Sequence, residues 1–286
     1  MIIAKLMGGL GNQMFQYAFA RAIANKHKIA FDLTSYLNSS NKSNFITSRN
    51  YELEIFTNIK TKKIPVIIIR LITSRKIFKL RPLFPNFLIK ILNLTDENAS
   101  NYYQNDIKEK ICLVSGYFQD PKYFNHIRPT LIDKFKFPEV SESISFLKNE
   151  IISVNAVSIH VRRGDYLKSQ NIAVHGILPI SYYNYAIELI AKKTKNPKFF
   201  VFSDDINWCK ENFNNNNSVY FMLTQSEPVW TDMYLMSICK HNIIANSSYS
   251  WWSAWLNQNN EKLVIAPREW FVHNDSKICL DTWIMI

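Results

Sequence analysis

Short apolar runs alternate with amphipathic stretches through the whole second half of the chain, and few folds accept that order. Strand-like runs fall at 156–161, 199–203, 219–223, 242–246 and 263–266, and helix-like stretches at 181–195, 206–213, 229–240 and 250–258. Strand and helix in regular succession predict a parallel sheet with helices on both faces. The first half opens the same way. Residues 2–7 read as a buried strand and 8–13 as a glycine-rich loop. A helix follows in which Phe15, Ala18, Phe19, Ala22 and Ile23 recur at helical spacing, and then a strand at 29–33. Residues 36–110 lack clear periodicity, and 111–118 looks like a returning strand. The expectation is an α/β protein of two lobes, 1–150 and 151–286, without internal repeats.

Composition narrows the class. With 286 residues and 47% hydrophobic content the chain is long and apolar enough for two packed cores. None of its four cysteines forms a C-x-x-C pair or sits near a histidine at zinc spacing. They read as structural thiols of a reduced, cytoplasmic protein. The N-terminus shows no apolar signal segment, and no run suits a membrane span. The formal net charge is +11, which favours polyanions or phosphorylated small molecules as partners. The excess is local: residues 55–95 hold nine Lys or Arg and no Asp or Glu, interleaved with long apolar side chains. That stretch reads either as a solvated face over core helices or as a basic amphipathic surface against an anionic bilayer. No nucleic-acid-binding motif accompanies it.

In doubly wound sheets ligands bind beyond the carboxyl ends of the strands, so the residues at those ends matter most. The loop Gly8-Gly9-Leu10-Gly11-Asn12-Gln13 brings backbone close to a ligand at a helix start, although a tight turn with Asn12 as a cap is the plainer reading. In His160-Val161-Arg162-Arg163-Gly164-Asp165, alternation puts His160 and Arg162 on one face and Arg163 on the other, with Asp165 available to pair with Arg163. A guanidinium fork suits a diphosphate. Ser203-Asp204-Asp205 closes the next strand as a ligand group or as a helix cap. No D-x-D occurs anywhere, so a metal-bridged diphosphate is not indicated. After Asn246, the serines Ser247, Ser248 and Ser250 open a helix and offer hydroxyls and amides to an anion. Trp251, Trp252 and Trp255 read better as core than as stacking platforms.

Four motifs in order, G-G-L-G-N-Q-M-F-Q-Y (8–17), H-V-R-R-G-D-Y (160–166), F-V-F-S-D-D (200–205) and N-S-S-Y-S-W-W (246–252), resemble the bacterial α-1,2-fucosyltransferases of glycosyltransferase family 11. The resemblance spans essentially the whole chain. It implies a GT-B-type fold of two Rossmann-like lobes, with the acceptor on the first and GDP-β-L-fucose on the second. It implies inverting transfer to the 2-hydroxyl of a terminal β-galactoside, without a metal or other cofactor, in surface-glycan or O-antigen synthesis. By the same resemblance Arg162 contacts the donor diphosphate, His160 the guanosine part, Asp232 the guanine edge, and Ser247 and Ser248 the phosphates. Asn12 then lies near the reacting centre, and Gly9, Gly11, Gln13, Ser203, Asp204, Asn246 and Ser250 complete the candidate donor set. One departure concerns the base: the stretch after the arginine motif, LKSQNIAVHG, has no carboxylate, which leaves His175 and Asp165 as candidates.

Two other functions fit parts of the sequence. A transferase of the same fold with another GDP-sugar or acceptor would keep all four motifs. A non-enzymatic basic module on nucleic acid or membrane would account for the charge and not for the motifs. The expected location is the cytoplasm, with peripheral contact to the inner face of the membrane, and a lipid-linked acceptor fits that place.

Overall fold

The computed structural model describes all residues except 38–48, 75–90, 104, 106, 168, 214–217, 223, 225–226 and 273–277, and omits the side chains of 169–171. It divides into two compact units, Met1–Pro138 and Glu139–Ile286. The division falls before the expected position near 150. The helix Glu142–Ser153, capped by Ser141, buries Ile144 and Ile151 in the core of the second unit. Its apolar contacts therefore assign it to that lobe.

The first unit holds a parallel sheet of β1 (Ile2–Lys5), β2 (Ile29–Asp32), β3 (Lys62–Lys63), β4 (Ile91–Leu94) and β5 (Ile111–Val114), in the order β3-β2-β1-β5-β4. The chain runs outward from β1 to β3 and then returns to β1's other side, which makes the β1–β5 border the switch point. The helix Leu10–Ala24 forms the predicted β-α-β crossover, and twelve of its fifteen residues are buried. Phe19 stacks on Phe118 with ring centroids 4.0 Å apart, and Phe15 meets Phe124 edge-on. Sequence reading missed β3 and β4: β3 is two exposed lysines, and β4 is short and flanked by undescribed residues.

The second unit is a six-stranded parallel sheet of β6 (Asn155–Val161), β7 (Pro197–Ser203), β8 (Val219–Phe221), β9 (His241–Ile243), β10 (Val264–Ala266) and β11 (Ile284–Met285), in the order β11-β10-β9-β6-β7-β8. Alternation along β6 fills both faces. Val157, Ile159 and Val161 pack with Tyr182, Tyr183, Ala186 and Ile190, while Ala156 faces Phe200, Phe202, Leu235 and Met236. The switch point lies between β6 and β9. Among the described residues no helix is long and apolar enough to cross a membrane.

Candidate active site

Seven-residue pairing of β6 with β7 fixes the chemistry at their ends. Val161 is opposite Ser203, so Arg162 and Arg163 emerge beside Asp204 and Asp205. Arg162 forms a fork between two carboxylates: Nη1 lies 2.7 Å from Asp204 Oδ2 and Nη2 lies 2.5 Å from Asp165 Oδ1. Arg163 turns away. Its Nε donates to Asp205 Oδ2 at 3.1 Å, its guanidinium sits 4.1 Å over the Trp208 ring, and its backbone N–H donates to Asp204 Oδ1 at 2.9 Å. The split between the two arginines follows the strand alternation. The pairing does not follow the sequence reading, since Asp165 binds Arg162 and not Arg163. One turn brings Asp165 back under Arg162, while Arg163 points to the helix Ile206–Asn212 that Asp205 caps. Mutual repulsion of the arginines is relieved by three carboxylates. Gly164 is needed for this approach: a Cβ there would stand 2.6 Å from Asp204 Oδ2.

Next to this cluster His160 is 6% exposed, and its Nδ1 is buried without a hydrogen-bond partner. Burial, helped by the Arg162 charge, pushes its pKa down to about 4, so the ring is neutral at pH 7. Its face tilts toward Tyr249, with centroids 5.8 Å apart. The Tyr249 hydroxyl in turn accepts the Met233 N–H and donates to the Val229 carbonyl. That places the first turn of the helix Trp230–Ile238, where Asp232 stands. Burial raises Asp232 to about 6, against the opposing pull of the Thr224 hydroxyl that donates to Oδ1.

Beyond β9 the polar string divides into surface and interior. Ser247 caps the helix Ser248–Leu256, its Oγ accepting the Tyr249 N–H at 3.3 Å, and Ser248 is partly exposed. Ser250 is 0% exposed and donates to the carbonyls of Ala245 and Ser247. Asn246 is also buried; its amide donates to His175 O at 2.5 Å, and its own carbonyl accepts the Tyr166 hydroxyl at 3.1 Å. Both residues bond main chain inside the lobe and hold the shape of the loop. Trp251, Trp252 and Trp255 are wholly buried and contact one another, which is the core role.

His175 ends the helix Ser169–His175 and stacks on Tyr166, with centroids 4.7 Å apart and planes 12° apart. Burial lowers its pKa, the nearby Asp165 carboxylate raises it, and Arg162 lowers it further. Its Nδ1 is buried without a partner. Sequence reading picked His175 and Asp165 separately. Tyr166, between them in the chain, now links His175, Asn246 and Arg162, whose guanidinium lies 5.6 Å from its ring.

In the first unit the glycine loop is built differently. Gly8 adopts φ +75°, and a Cβ there would meet Asn12 Nδ2 at 2.6 Å. The helix start beyond it is already occupied, because Glu52 Oε2 accepts the Leu10 N–H at 2.8 Å. Burial raises the Glu52 pKa, while the Leu10 N–H and Arg49 pull it down. Gln13 is 0% exposed and fully committed, donating to Gly8 O and Asn50 O and accepting from Glu52 N and Leu53 N. Gln16 clamps Met7 from the same helix. Gly9 packs near Arg49 and Glu52, and Gly11 is buried in the helix. Of the expected loop residues, Asn12 keeps partial exposure, its Oδ1 accepting from Gln119 across the β1–β5 switch point at 2.9 Å. Glu52 was not legible because no short motif marks a carboxylate that acts 42 residues away. Among the described residues no group of three His, Cys, Asp or Glu is placed to hold a metal ion.

Two doubly wound parallel sheets, the second with an arginine fork at its switch point, define a glycosyltransferase of the GT-B type. Residues 1–286 match the family model Glycosyl transferase family 11, and the chain belongs to that family. It is 37% identical to the O-antigen biosynthesis glycosyltransferase WbnK of Escherichia coli, covering 98% of both chains. It is 33% identical to an Escherichia coli alpha-1,2-colitosyltransferase, covering 100% of this chain and 98% of that one. Galactoside alpha-(1,2)-fucosyltransferase 1 of Homo sapiens matches at 27% over 58% of this chain and 48% of its own. In fold the chain is similar to the fucosyltransferase NodZ from Bradyrhizobium, with TM-score 0.50 at 13% identity over 88% and 90% of the two chains.

Proposed function

We propose that this glycosyltransferase moves L-fucose from GDP-β-L-fucose to the 2-hydroxyl of a terminal β-galactoside, with inversion, in O-antigen or related surface-glycan synthesis. The observation that carries the donor side is the Arg162 fork at the β6–β9 switch point. An always-charged planar fork that holds two carboxylates holds two diphosphate oxygens equally well. On binding, the donor diphosphate takes over the positions filled by Asp165 and Asp204, and Ser247 and Ser248 with the adjoining helix start meet the remaining oxygens. Asp232 accepts hydrogen bonds from the guanine edge, and neutral His160 contributes its unpartnered Nδ1 to the nucleoside side. As the glycosidic bond breaks, charge collects on the departing diphosphate, and Arg162 stabilises it without a metal.

For the acceptor proton, His175 fits better than Asp165. Asp165 Oδ1 is taken up by the Arg162 guanidinium at 2.5 Å, whereas burial keeps the His175 ring neutral and able to accept a proton at pH 7.

A second reading is transfer of colitose, favoured by the full-length 33% identity to an alpha-1,2-colitosyltransferase. Fucose and colitose differ by one ring hydroxyl, and a site that bonds this group rejects the deoxy sugar by about four orders of magnitude. The deciding assay gives the enzyme GDP-fucose, GDP-colitose and GDP-mannose, each with a panel of β-galactosides. The expected result is turnover with GDP-fucose, unaffected by EDTA. Turnover with GDP-colitose alone establishes the second reading, and loss with EDTA restored by manganese removes the Arg162 assignment.

A further inference from the structure

Of the acid-free basic stretch, Lys60, Lys62, Lys63 and Arg70 lie on described residues, and Arg75, Lys76, Lys79, Arg81 and Lys90 lie outside them. Helix Val66–Thr73 buries Ile69 alone, while Ile67 is 63%, Ile68 42% and Leu71 50% exposed. At 100° per residue, Ile67, Leu71 and Ile68 share an arc of about 100° opposite Ile69. Single exposed aliphatics are ordinary, but three on one arc of an eight-residue helix form a patch. Lys60, Lys62 and Lys63, a few residues before the helix, and Arg70 within it are all exposed. Lys63 pairs with Glu54 at 3.1 Å, whereas Lys60, Lys62 and Arg70 have no ion-pair partner among the described residues.

Plainer explanations cover only part of this. Lysines on the edge strand β3 discourage strand-edge association, which accounts for Lys62 and Lys63 but for neither Arg70 nor the aliphatic arc. Nucleic acid would use the cations and leave Ile67, Ile68 and Leu71 in water. A second copy of a chain with net charge +11 would bring the same cations against themselves. An anionic bilayer takes both components, the apolar arc at the headgroup boundary and the cations among the headgroups.

We propose that helix Val66–Thr73 is a membrane-docking element, with Ile67, Ile68 and Leu71 inserted shallowly into an anionic bilayer and Lys60, Lys62 and Arg70 held by its headgroups. The inference rests on the first unit alone and does not depend on the sugar donor. The test is flotation of the full chain with vesicles of phosphatidylcholine, or of phosphatidylcholine mixed with phosphatidylglycerol. The wild type floats with the mixed vesicles only, and added salt weakens its binding. Ile67→Glu with Leu71→Glu lowers the vesicle partition constant by about tenfold or more, and Lys60→Gln with Lys62→Gln by about 25-fold, since each cation contributes about fivefold. Thermal melts check that the variants fold. Arg70→Gln, a surface change, gives about a fivefold loss even if the glutamate variant unfolds. Equal binding to both vesicle types, or no binding to either, overturns the proposal. So does self-association in sedimentation that Ile67→Glu with Leu71→Glu abolishes.

Discussion

The two switch points share a topology and differ in how their polar groups are used. At β1–β5, Gln13, Gln16 and Glu52 bond main-chain groups of their own lobe, and Glu52 fills the helix start that an anion would need. At β6–β9, charged groups pair with one another near the surface, His160 keeps a bare nitrogen, and Asp232 is held near its titration point by burial. A saturated network holds one shape and offers Asn12 on it. The other set is held by ion pairs, whose guanidinium geometry suits a phosphate as well as a carboxylate. Identical folding rules thus leave a saturated network at one switch point and paired charges beside a bare ring nitrogen at the other.

The sharpest way to break this contrast is Arg162→Lys. A point charge cannot span two oxygens, so turnover should fall by about a hundredfold or more while the fold is retained. Arg163→Lys should act instead on stability, by about 1–2 kcal/mol through the lost Trp208 stack. Steady-state kinetics and melts on both variants decide it; the reverse pattern exchanges their roles.

Asp232→Asn probes the same surface through pH. A carboxyl raised from 3.8 to about 6 in the fold favours its protonated form there. Its ionisation therefore lowers stability progressively between about pH 4 and 6, and the penalty persists above that. The shift of about two units sets an upper limit of about 3 kcal/mol. Asp232→Asn should recover part of this at pH 8 and little at pH 4, while weakening GDP binding at pH 8. Wild-type GDP affinity should fall as pH drops through about 6, and the variant's should not. Denaturant titrations and calorimetry at the two pH values test both halves, and equal pH dependence in the two proteins moves guanine recognition away from Asp232.

In the first unit Gln13→Ala should cost about 2 kcal/mol of stability by orphaning buried amide and carbonyl groups, with GDP affinity unchanged. A loss of GDP affinity in a folded variant would place the glycine loop at the donor after all. The smallest effect belongs to Ser250→Ala, about 1 kcal/mol of stability from two weak bonds to carbonyls, with the donor KM unaltered.

The sequence alone decided the layering. Alternation in β6 was readable because its side chains divide between two cores, and so was the consequence that Arg162 and Arg163 face different ways. The cap at Asp205 and the core role of the tryptophans were also legible, since a capped helix start and an apolar helix are local properties. The family motifs marked the loops after β1, β6, β7 and β9, and not the loop after β5 that brings Gln119 to Asn12. Only the tertiary structure decided the partners. Strand register set Asp204 beside Arg162 from 42 positions away, the turn after Gly164 gave Asp165 to Arg162, and residues after 48 brought Glu52 to the helix at Leu10. It also took Asn246, Ser250 and Gln13 out of solvent. Propensity and periodicity act over a few residues, whereas hydrogen-bond partners and burial are set by which distant segments pack together. A motif could therefore mark the right loops without showing which of their side chains remain free to bind.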